Sequence, residues 1–431
     1  MAKLKRILLT AMVAASLAAT QAAPAGAAEG DLVRSFSGDG RVVTDLDNGS
    51  RDRLAAAQFV SGGRLLVAGS SIKRPYGVRA ALVRYLPNGA LDPAFGDGGI
   101  VLSDADGGFF PEAMTIDQYG AIVVAGSHRG KLVVARMLGE GQPDSEFGDG
   151  DGVLSLPIPM QVGGVWPGLN GRIIIAGTRR VSGQVDFIAT QLLRDGSLDP
   201  EFGDDGTVAL DLASGWADGA ADLIVDPLDR PVLAGGAWLR DPGASRGVGR
   251  FALARLQSDG SLDRTLRHSG TALIGMGRRG GFATAVMTDR RGPIILGGMA
   301  PPDVAFVALH DDGTLARGFG HGGRVRLRVR DGYRLRDIAP ERKGRILAAL
   351  GAPMNPFIPG TGDMLALRLL DNGRPDRSFS RDGRVSTGFG RLLAGASVVA
   401  QDHLGQFVLA GNAKAPQEDS DFAVARYFGG G

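Results

Sequence analysis

Ala94-Phe95-Gly96-Asp97-Gly98-Gly99 returns along the chain as Glu146-Phe147-Gly148-Asp149-Gly150, Glu201-Phe202-Gly203-Asp204-Asp205-Gly206 and Gly318-Phe319-Gly320-His321-Gly322-Gly323, with weaker copies beginning at Ser35, Thr265 and Ser378. A phrase that recurs at a nearly fixed interval marks a repeat architecture and is read before secondary structure. A second phrase, apolar residues ending in small ones, recurs at Leu65 to Gly69, Ile122 to Gly126, Ile173 to Gly177, Val232 to Gly236, Ile294 to Gly298, Ile346 to Leu350 and Phe407 to Gly411. A third runs Ala81-Leu82-Val83-Arg84-Tyr85, Val133-Val134-Ala135-Arg136-Met137, Phe251-Ala252-Leu253-Ala254-Arg255 and Phe422-Ala423-Val424-Ala425-Arg426. Aligned on these phrases, units start near Leu32, Leu91, Pro143, Leu198, Leu262, Leu315 and Pro375. That makes seven units of 52 to 64 residues, and residues 29–431 form a single repeat domain.

Inside a unit the hydrophobic pattern is that of strands. Four runs rich in Val, Ile, Leu and Ala are each bounded by Gly, Asp, Asn or Pro. In the second unit they fall at Val101 to Asp104, Ala113 to Asp117, Ile122 to Ser127 and Leu132 to Leu138. Seven four-stranded antiparallel units predict an all-β, seven-bladed β-propeller, a ring that leaves few open sheet edges. The Ala-rich runs Leu54 to Gln58, Ala220 to Val225 and Ala394 to Val398 are expected to lie nearest the axis, where space is short. The run Arg41 to Leu46 then becomes an outer strand that completes the blade formed by residues 392–428, closing the ring with both termini.

The phrases resemble the bacterial delta-60 repeat family, whose unit reads roughly as FGxxG, a strand, IVVAGS, DFALARY and DGSLDP. The resemblance covers residues 32–431 and is specific in units two, four and seven. It is degraded in unit three, where Thr190-Gln191 replaces the Ala-Arg pair, and in unit five, where Leu266 replaces Phe and Ala308 replaces Arg. It implies a propeller and carries no agreed biochemical activity.

The 68 Gly fit a protein with many tight turns, and the absence of Cys excludes disulfides, thiolate metal sites and a cysteine nucleophile. The first 28 residues read as a cleaved signal peptide: Lys3, Lys5 and Arg6, then the apolar stretch Ile7 to Ala19, then Ala25-Gly26-Ala27. The protein is therefore expected to be exported, periplasmic or secreted, with no membrane span. Without those three cations, 45 basic residues face 46 acidic ones, a net charge of −1, so overall charge gives no reason to expect nucleic acid.

Repeated residues are poor candidates for a unique site. Arg84, Arg136, Arg255, Arg368 and Arg426 share one strand position in five units, so they are read as structural partners of acids or carbonyls between blades. The Asp-rich turns lack the calcium-loop ligand series, the five His converge by no recognisable spacing, and no G-x-S-x-G is present. No metal and no cofactor are expected. Loop length varies at only two of the four connections in a unit, and those two lie on one face of a propeller. Trp166, Trp216 and Trp238 are placed in or beside these loops, with Tyr76, Phe109, Phe110 and Phe357. Trp216 and Trp238 are expected to lie near one another on the rim, as a pair of indoles suited to a sugar ring or a partner's pocket. Residues 262–345 hold 16 basic and 8 acidic residues, and Arg324, Arg326, Arg328 and Arg330 alternate along one face of an outer strand. They serve either edge protection or docking of an anionic partner.

Two functions follow. One is a monomeric, non-enzymatic scaffold binding a protein or glycan of the cell envelope or exterior through the variable-loop face. The alternative is a propeller hydrolase or lyase acting on a polysaccharide or wall polymer with channel carboxylates. A buried acid at the axis with a raised pKa favours the enzyme.

Overall fold

The computed structural model describes residues 27–73, 77–103, 108–239, 248–289, 292–329, 332–352, 362–415 and 419–430. After the outer strand β1 (Arg41–Thr44), blade 1 is β2 (Arg51–Val60), β3 (Arg64–Lys73), β4 (Gly77–Tyr85) and β5 (Ile100–Ser103). Blade 2 is β6 (Phe110–Ile116), β7 (Ile122–His128), β8 (Lys131–Met137) and β9 (Val153–Leu156). Blade 3 is β10 (Met160–Pro167), β11 (Ile173–Val181), β12 (Gln184–Leu192) and β13 (Thr207–Leu210). Blade 4 is β14 (Trp216–Val225), β15 (Pro231–Leu239), β16 (Val248–Arg255) and β17 (Thr271–Ile274). Blade 5 is β18 (Phe282–Thr288), β19 (Ile294–Ala300), β20 (Asp303–Leu309) and β21 (Arg324–Leu327). Blade 6 is β22 (Arg334–Glu341), β23 (Arg345–Gly351), β24 (Met364–Leu369) and β25 (Arg384–Thr387). Blade 7 is β26 (Leu393–Gln401), β27 (Phe407–Lys414) and β28 (Ser420–Tyr427), completed by β1 in register from Arg41 opposite Ala425 to Thr44 opposite Phe422. The chain is a seven-bladed β-propeller of four-stranded antiparallel sheets, and its N-terminal strand joins the C-terminal blade.

The recurring phrases form the joints between blades. The Phe of each FGxxG copy, Leu266 in the fifth, is buried, and the glycine of the next blade's Asp-Gly, Asn-Gly or Glu-Gly turn lies against it. Gly196 illustrates why no other residue fits: its φ is +92°, and a Cβ there would stand 3.1 Å from the Phe147 ring. The glycine after the Phe donates its N–H to the carbonyl preceding that turn glycine: Gly148 to Asp195 at 2.9 Å, Gly203 to Asp259 at 2.8 Å and Gly320 to Asn372 at 2.8 Å. Gly30 sits in the same way on Phe379, so residues 29–40 supply the half-repeat that the last blade lacks. One buried apolar cluster fills each of the seven interfaces between neighbouring blades.

The five repeated arginines also bridge blades. Arg84 holds Asp92 at 2.8 Å and the Gly139 carbonyl of blade 2 at 2.5 Å. Arg136 holds Asp117 and the Arg194 carbonyl, each at 2.8 Å. Arg255 holds Asp263 and Asp311, Arg368 holds Asp376 and Glu29, and Arg426 holds Asp402 and the Pro87 carbonyl of blade 1. Each guanidinium is buried, and each carries acceptors from two blades.

Because strands alternate in direction, the turns between the first and second strands and the FGxxG turns share one face. The connections between blades and between the second and third strands share the other.

Candidate functional site

The first strand of every blade lines a cavity of about 1060 Å³ on the axis, with residues from β2, β6, β10, β14, β18, β22 and β26 in its wall. Each of these strands breaks register once, at the same level. The extra residues are Ala55, Glu112, Gly163, Ala221, Thr284, Arg336 and Ser397, seven equivalent positions with six residue types. A bulge turns one side chain out of the regular alternation, which here places it at the channel.

Three carboxylates stand at this level. Glu112 accepts the N–H of Val162 in blade 3 at 2.9 Å. Asp222, just after the bulge of β14, accepts the N–H of Val286 in blade 5 at 2.7 Å and that of Leu223 at 2.8 Å. Asp337 does the same in β22, accepting Val399 of blade 7 at 2.9 Å and Ile338 at 2.8 Å. They clasp blade 2 to 3, blade 4 to 5 and blade 6 to 7. Burial raises all three pKa values against these hydrogen bonds. Asp222 is pushed up to about 8, with the Asp337 charge adding to burial, and Asp337 to about 6. Thr284 makes a further clasp, donating its hydroxyl to the Leu335 carbonyl of blade 6 at 3.2 Å.

Arginines form the other polar group. Arg336 is the bulged residue of β22 and lines the cavity. Arg334 opens the same strand, and Arg53 holds the equivalent position in β2; all three are exposed at the variable-loop end of the channel. The channel wall around Arg336 partly desolvates its guanidinium although the residue is exposed at the mouth, which lowers its pKa, and Arg334 and Arg53 lower it further by like-charge repulsion. At the opposite mouth, Trp166 lines the cavity near the end of β10 and is 36% exposed. Exposed Tyr119, Leu169 and Leu228 stand on the neighbouring turns of blades 2, 3 and 4.

The aromatic residues singled out in the sequence are dispersed. Trp216 and Trp238 are close in the fold but do not pair. Trp216 lies opposite Leu239 and Trp238 opposite Ala217, and this one-residue offset sends the two indoles to opposite faces of the sheet. Trp216 packs towards blade 3 under the Arg250 guanidinium at 5.5 Å. Trp238 packs towards blade 5 against Phe282, with ring centroids 5.8 Å apart. Phe109 is 1% exposed in the core between blades 1 and 2, where its apolar ring fills the interface, while Phe110 is half-buried at the start of β6. Trp166 belongs to the turn face, because it ends a first strand instead of beginning one. Tyr76, Phe357, Arg330 and residues 1–26 lie outside the described residues.

Arg324, Arg326 and Arg328 do run along the outer edge of blade 5, and they are engaged there. Arg324 donates to the Gly275 carbonyl at 3.2 Å, Arg326 to the carbonyls of Met276 and Ala300 and to Asp303 at 3.0 Å, and Arg328 pairs with Asp303 at 3.3 Å. Gly275 and Met276 follow the outer strand of blade 4, so two of these arginines tie neighbouring blades together.

Asp45, Asp52 and Asp421 bring carboxylate oxygens within 4.8 Å of one another at the ring closure, the geometry nearest to a cation site among the described residues. Asp52 accepts the Leu46 N–H at 3.0 Å and the Ser50 hydroxyl at 2.6 Å, which fixes the connection into β2. Asp218 fixes the equivalent connection in blade 4 through Leu212 and Ala213.

Glu112, Asp222, Asp337 and the three axial arginines were not singled out by sequence reasoning. Their signal was a charge inside the small-residue first strand: Glu112 and Arg336 stand where other units have Ala55, Gly163, Ala221 or Ser397, Asp222 and Asp337 one place later, where others have Ala56, Ala113, Gly164 or Ala285, and Arg53 and Arg334 two places earlier.

No helix among the described residues is long and apolar enough to cross a membrane. No curated protein matches the sequence. In three dimensions the chain is similar to a protein of unknown function from Dyadobacter fermentans (TM-score 0.47, 10% identity, 90% of this chain and 98% of that one). It is similar also to a protein of unknown function from Bacteroides caccae (TM-score 0.42, 9% identity, 75% of this chain and 98% of that one). A third similar structure is Sqt1 from Chaetomium thermophilum (TM-score 0.48, 11% identity, 89% of this chain and 96% of that one). In sequence, residues 63–95, 169–202 and 243–266 match a family model described as a domain of unknown function (DUF5122) beta-propeller, so the chain is similar to a β-propeller family.

Proposed function

We propose that the chain is an exported recognition scaffold of delta-60 repeat type that holds a protein or glycan partner of the cell envelope or exterior, with the axial channel as the central contact. The supporting observation is the inequality of the seven bulge positions. A ring that only has to close repeats one residue around the circle, as the turn Gly does seven times and the buried Phe six, with Leu266 in its place once. Different side chains at one level serve a ligand that is not sevenfold symmetric. Trp166 gives the turn-face mouth an aromatic platform, and about three residues of strand, roughly 10 Å, separate it from the bulge level. On the far rim Leu239 and Val248, a cross-strand pair, are both exposed beside Trp216 and extend the contact surface.

A glycan array and an envelope pull-down test this reading. The parent protein is expected to retain a ligand that Trp166→Ala loses while keeping its melting temperature. Undiminished binding by that variant would remove the channel mouth from the site. Export is tested by the N-terminus of the mature protein, expected at Ala28 or Glu29.

One observation favours a hydrolase or lyase instead: the raised pKa of Asp222 beside Asp337, which leaves a protonated acid near a carboxylate at neutral pH. Against it, both oxygens of each Asp accept backbone N–H groups. Turnover of a wall polysaccharide by the parent, abolished in Asp222→Asn, would establish the enzyme.

A further inference from the structure

We propose that Arg53, Arg334 and Arg336 form an oxyanion site at the variable-loop end of the axial channel, which takes a carboxylate, phosphate or sulfate group of the bound ligand. The proposal rests on the channel being the contact surface and adds the chemistry of what enters it.

The first argument is the pattern of partners. The five repeated arginines and Arg324, Arg326 and Arg328 all hold carbonyls or acids. Among the described residues, Arg53, Arg334 and Arg336 make no ion pair and no hydrogen bond. The nearby acids do not neutralise them. Asp337, adjacent to Arg336 in sequence, and Asp222 spend their oxygens on backbone N–H groups of neighbouring blades. Glu112 is held by the Val162 N–H and attracts Arg53 alone of the three.

The second argument is position. The equivalents of Arg53 and Arg334 elsewhere are Phe110, Gln161, Gly219, Phe282 and Gly395, so the charge is not a demand of the fold. Blade 7 stands between blades 6 and 1, and its residues at this level are Gly395 and Ser397, which carry no side chain or a short one. Three like charges held together, with Glu112 drawing on Arg53 alone, are unfavourable in the free protein, and Arg336 feels both of the others. A bound oxyanion converts that repulsion into charge-assisted hydrogen bonds, and the guanidinium fork suits two oxygens of one group.

The test is thermal unfolding of the full mature chain at constant ionic strength, in sodium chloride and with 10 mM inorganic phosphate, sulfate or galacturonate. Phosphate and sulfate stabilise folded proteins generally by exclusion, so the readout is the difference between parent and variant. The parent is expected to gain roughly 3 °C more than Arg336→Gln from at least one of the anions. In chloride alone Arg336→Gln is expected to match or exceed the parent, because repulsion is relieved. Arg53→Gln provides the same comparison if the first variant folds poorly. A response to galacturonate alone points to an acidic glycan, and one to phosphate or sulfate alone to a phosphorylated or sulfated ligand. Equal responses of parent and variant to all three anions would overturn the site. Trp166→Ala is expected to keep the anion response even where it loses a glycan, which separates failure of the platform from failure of the anion site.

Discussion

The joints between blades and the ring of bulges around the axis solve the same problem, attaching one blade to the next, in opposite ways. At the joints a buried Phe, a turn glycine and a single N–H bond recur almost unchanged around the circle. At the axis the attachment is made by Glu112 at one interface, Asp222 at a second, Thr284 at a third and Asp337 at a fourth. The difference follows from what each region touches. A joint touches only another copy of itself, so one good solution serves everywhere. The axial ring faces a cavity as well as its neighbour, so its residues answer to two surroundings and diverge. Uniformity around the circle belongs to the first region and side-chain variety to the second, which is where the proposed ligand chemistry would fall.

Closure gives the largest expected effect. Residues 29–47 carry the joint glycine Gly30, the acid Glu29 that meets buried Arg368, and all of β1. Their deletion leaves Phe379 uncovered, Arg368 short of an acid and the edge of β28 unpaired. The melting temperature of the truncated chain is expected to fall by about 10 °C or more, far beyond the effect of trimming an exposed terminus. An unchanged calorimetric transition would mean that the joints do not carry the ring.

The joints were legible in the sequence because repetition is a signal that needs no structure. Phe147 and Gly196 announce themselves by recurring, and the strand count, blade count and closing strand follow from them. The observed strands shift by only a few residues, for instance Phe110–Ile116 where Ala113 to Asp117 was expected. The site was far less legible, for three physical reasons. Residues that meet across the axis, such as Asp222 and Asp337, are separated by more than a hundred positions, and no spacing rule connects them. The face an aromatic presents depends on a one-residue register, which is how Trp216 and Trp238 came to lie on opposite sides of blade 4. Burial of Phe109 depends on how blades 1 and 2 meet. A charge in an otherwise small-residue strand was the one readable mark, and it was present at Glu112, Asp222, Arg336 and Asp337.

The axial ring has its own expected signature, a stability that depends on pH. Asp222 and Asp337 have folded-state pKa values of about 8 and about 6, raised above the unfolded value of 3.8. The folded state therefore holds protons that the unfolded state releases, and the resulting stability is fully present below about pH 4. It is lost as pH rises through about 6 for Asp337 and about 8 for Asp222. Asp52 and Asp218, each raised to about 6, act in the same direction. The melting temperature is expected to decline between pH 5 and pH 8.5, and Asp222→Asn is expected to flatten the upper part of that decline. Channel water moderates the effect, so the difference at pH 8.5 is set at roughly 2 °C. A parallel decline in parent and variant would show that Asp222 is ionised in the folded protein at neutral pH, and the axial clasp would then resemble the joints in being indifferent to pH.

The smallest effect is expected at the outer edge of blade 5, which tests whether charge alone marks a functional region. Arg324, Arg326 and Arg328 are as conspicuous in the sequence as the axial arginines, yet their guanidiniums already hold carbonyls or Asp303. Exposed pairs of this kind contribute about 0–1 kcal/mol each, because water screens the charges and ordering long side chains costs entropy. Arg326→Ser is therefore expected to lower the melting temperature by about 1 °C, through loss of the bonds to Met276 and Ala300, and Arg328→Ser by less. Retention on an anionic matrix should fall only slightly in either variant, since engaged guanidiniums compete poorly for a new partner. Arg336→Gln should reduce retention of a small oxyanion while leaving stability intact, the reverse pattern. If Arg326→Ser instead abolished salt-sensitive retention on envelope material, the outer edge would be a docking surface in its own right. The distinction between engaged and unengaged arginines would then no longer separate structure from recognition in this ring.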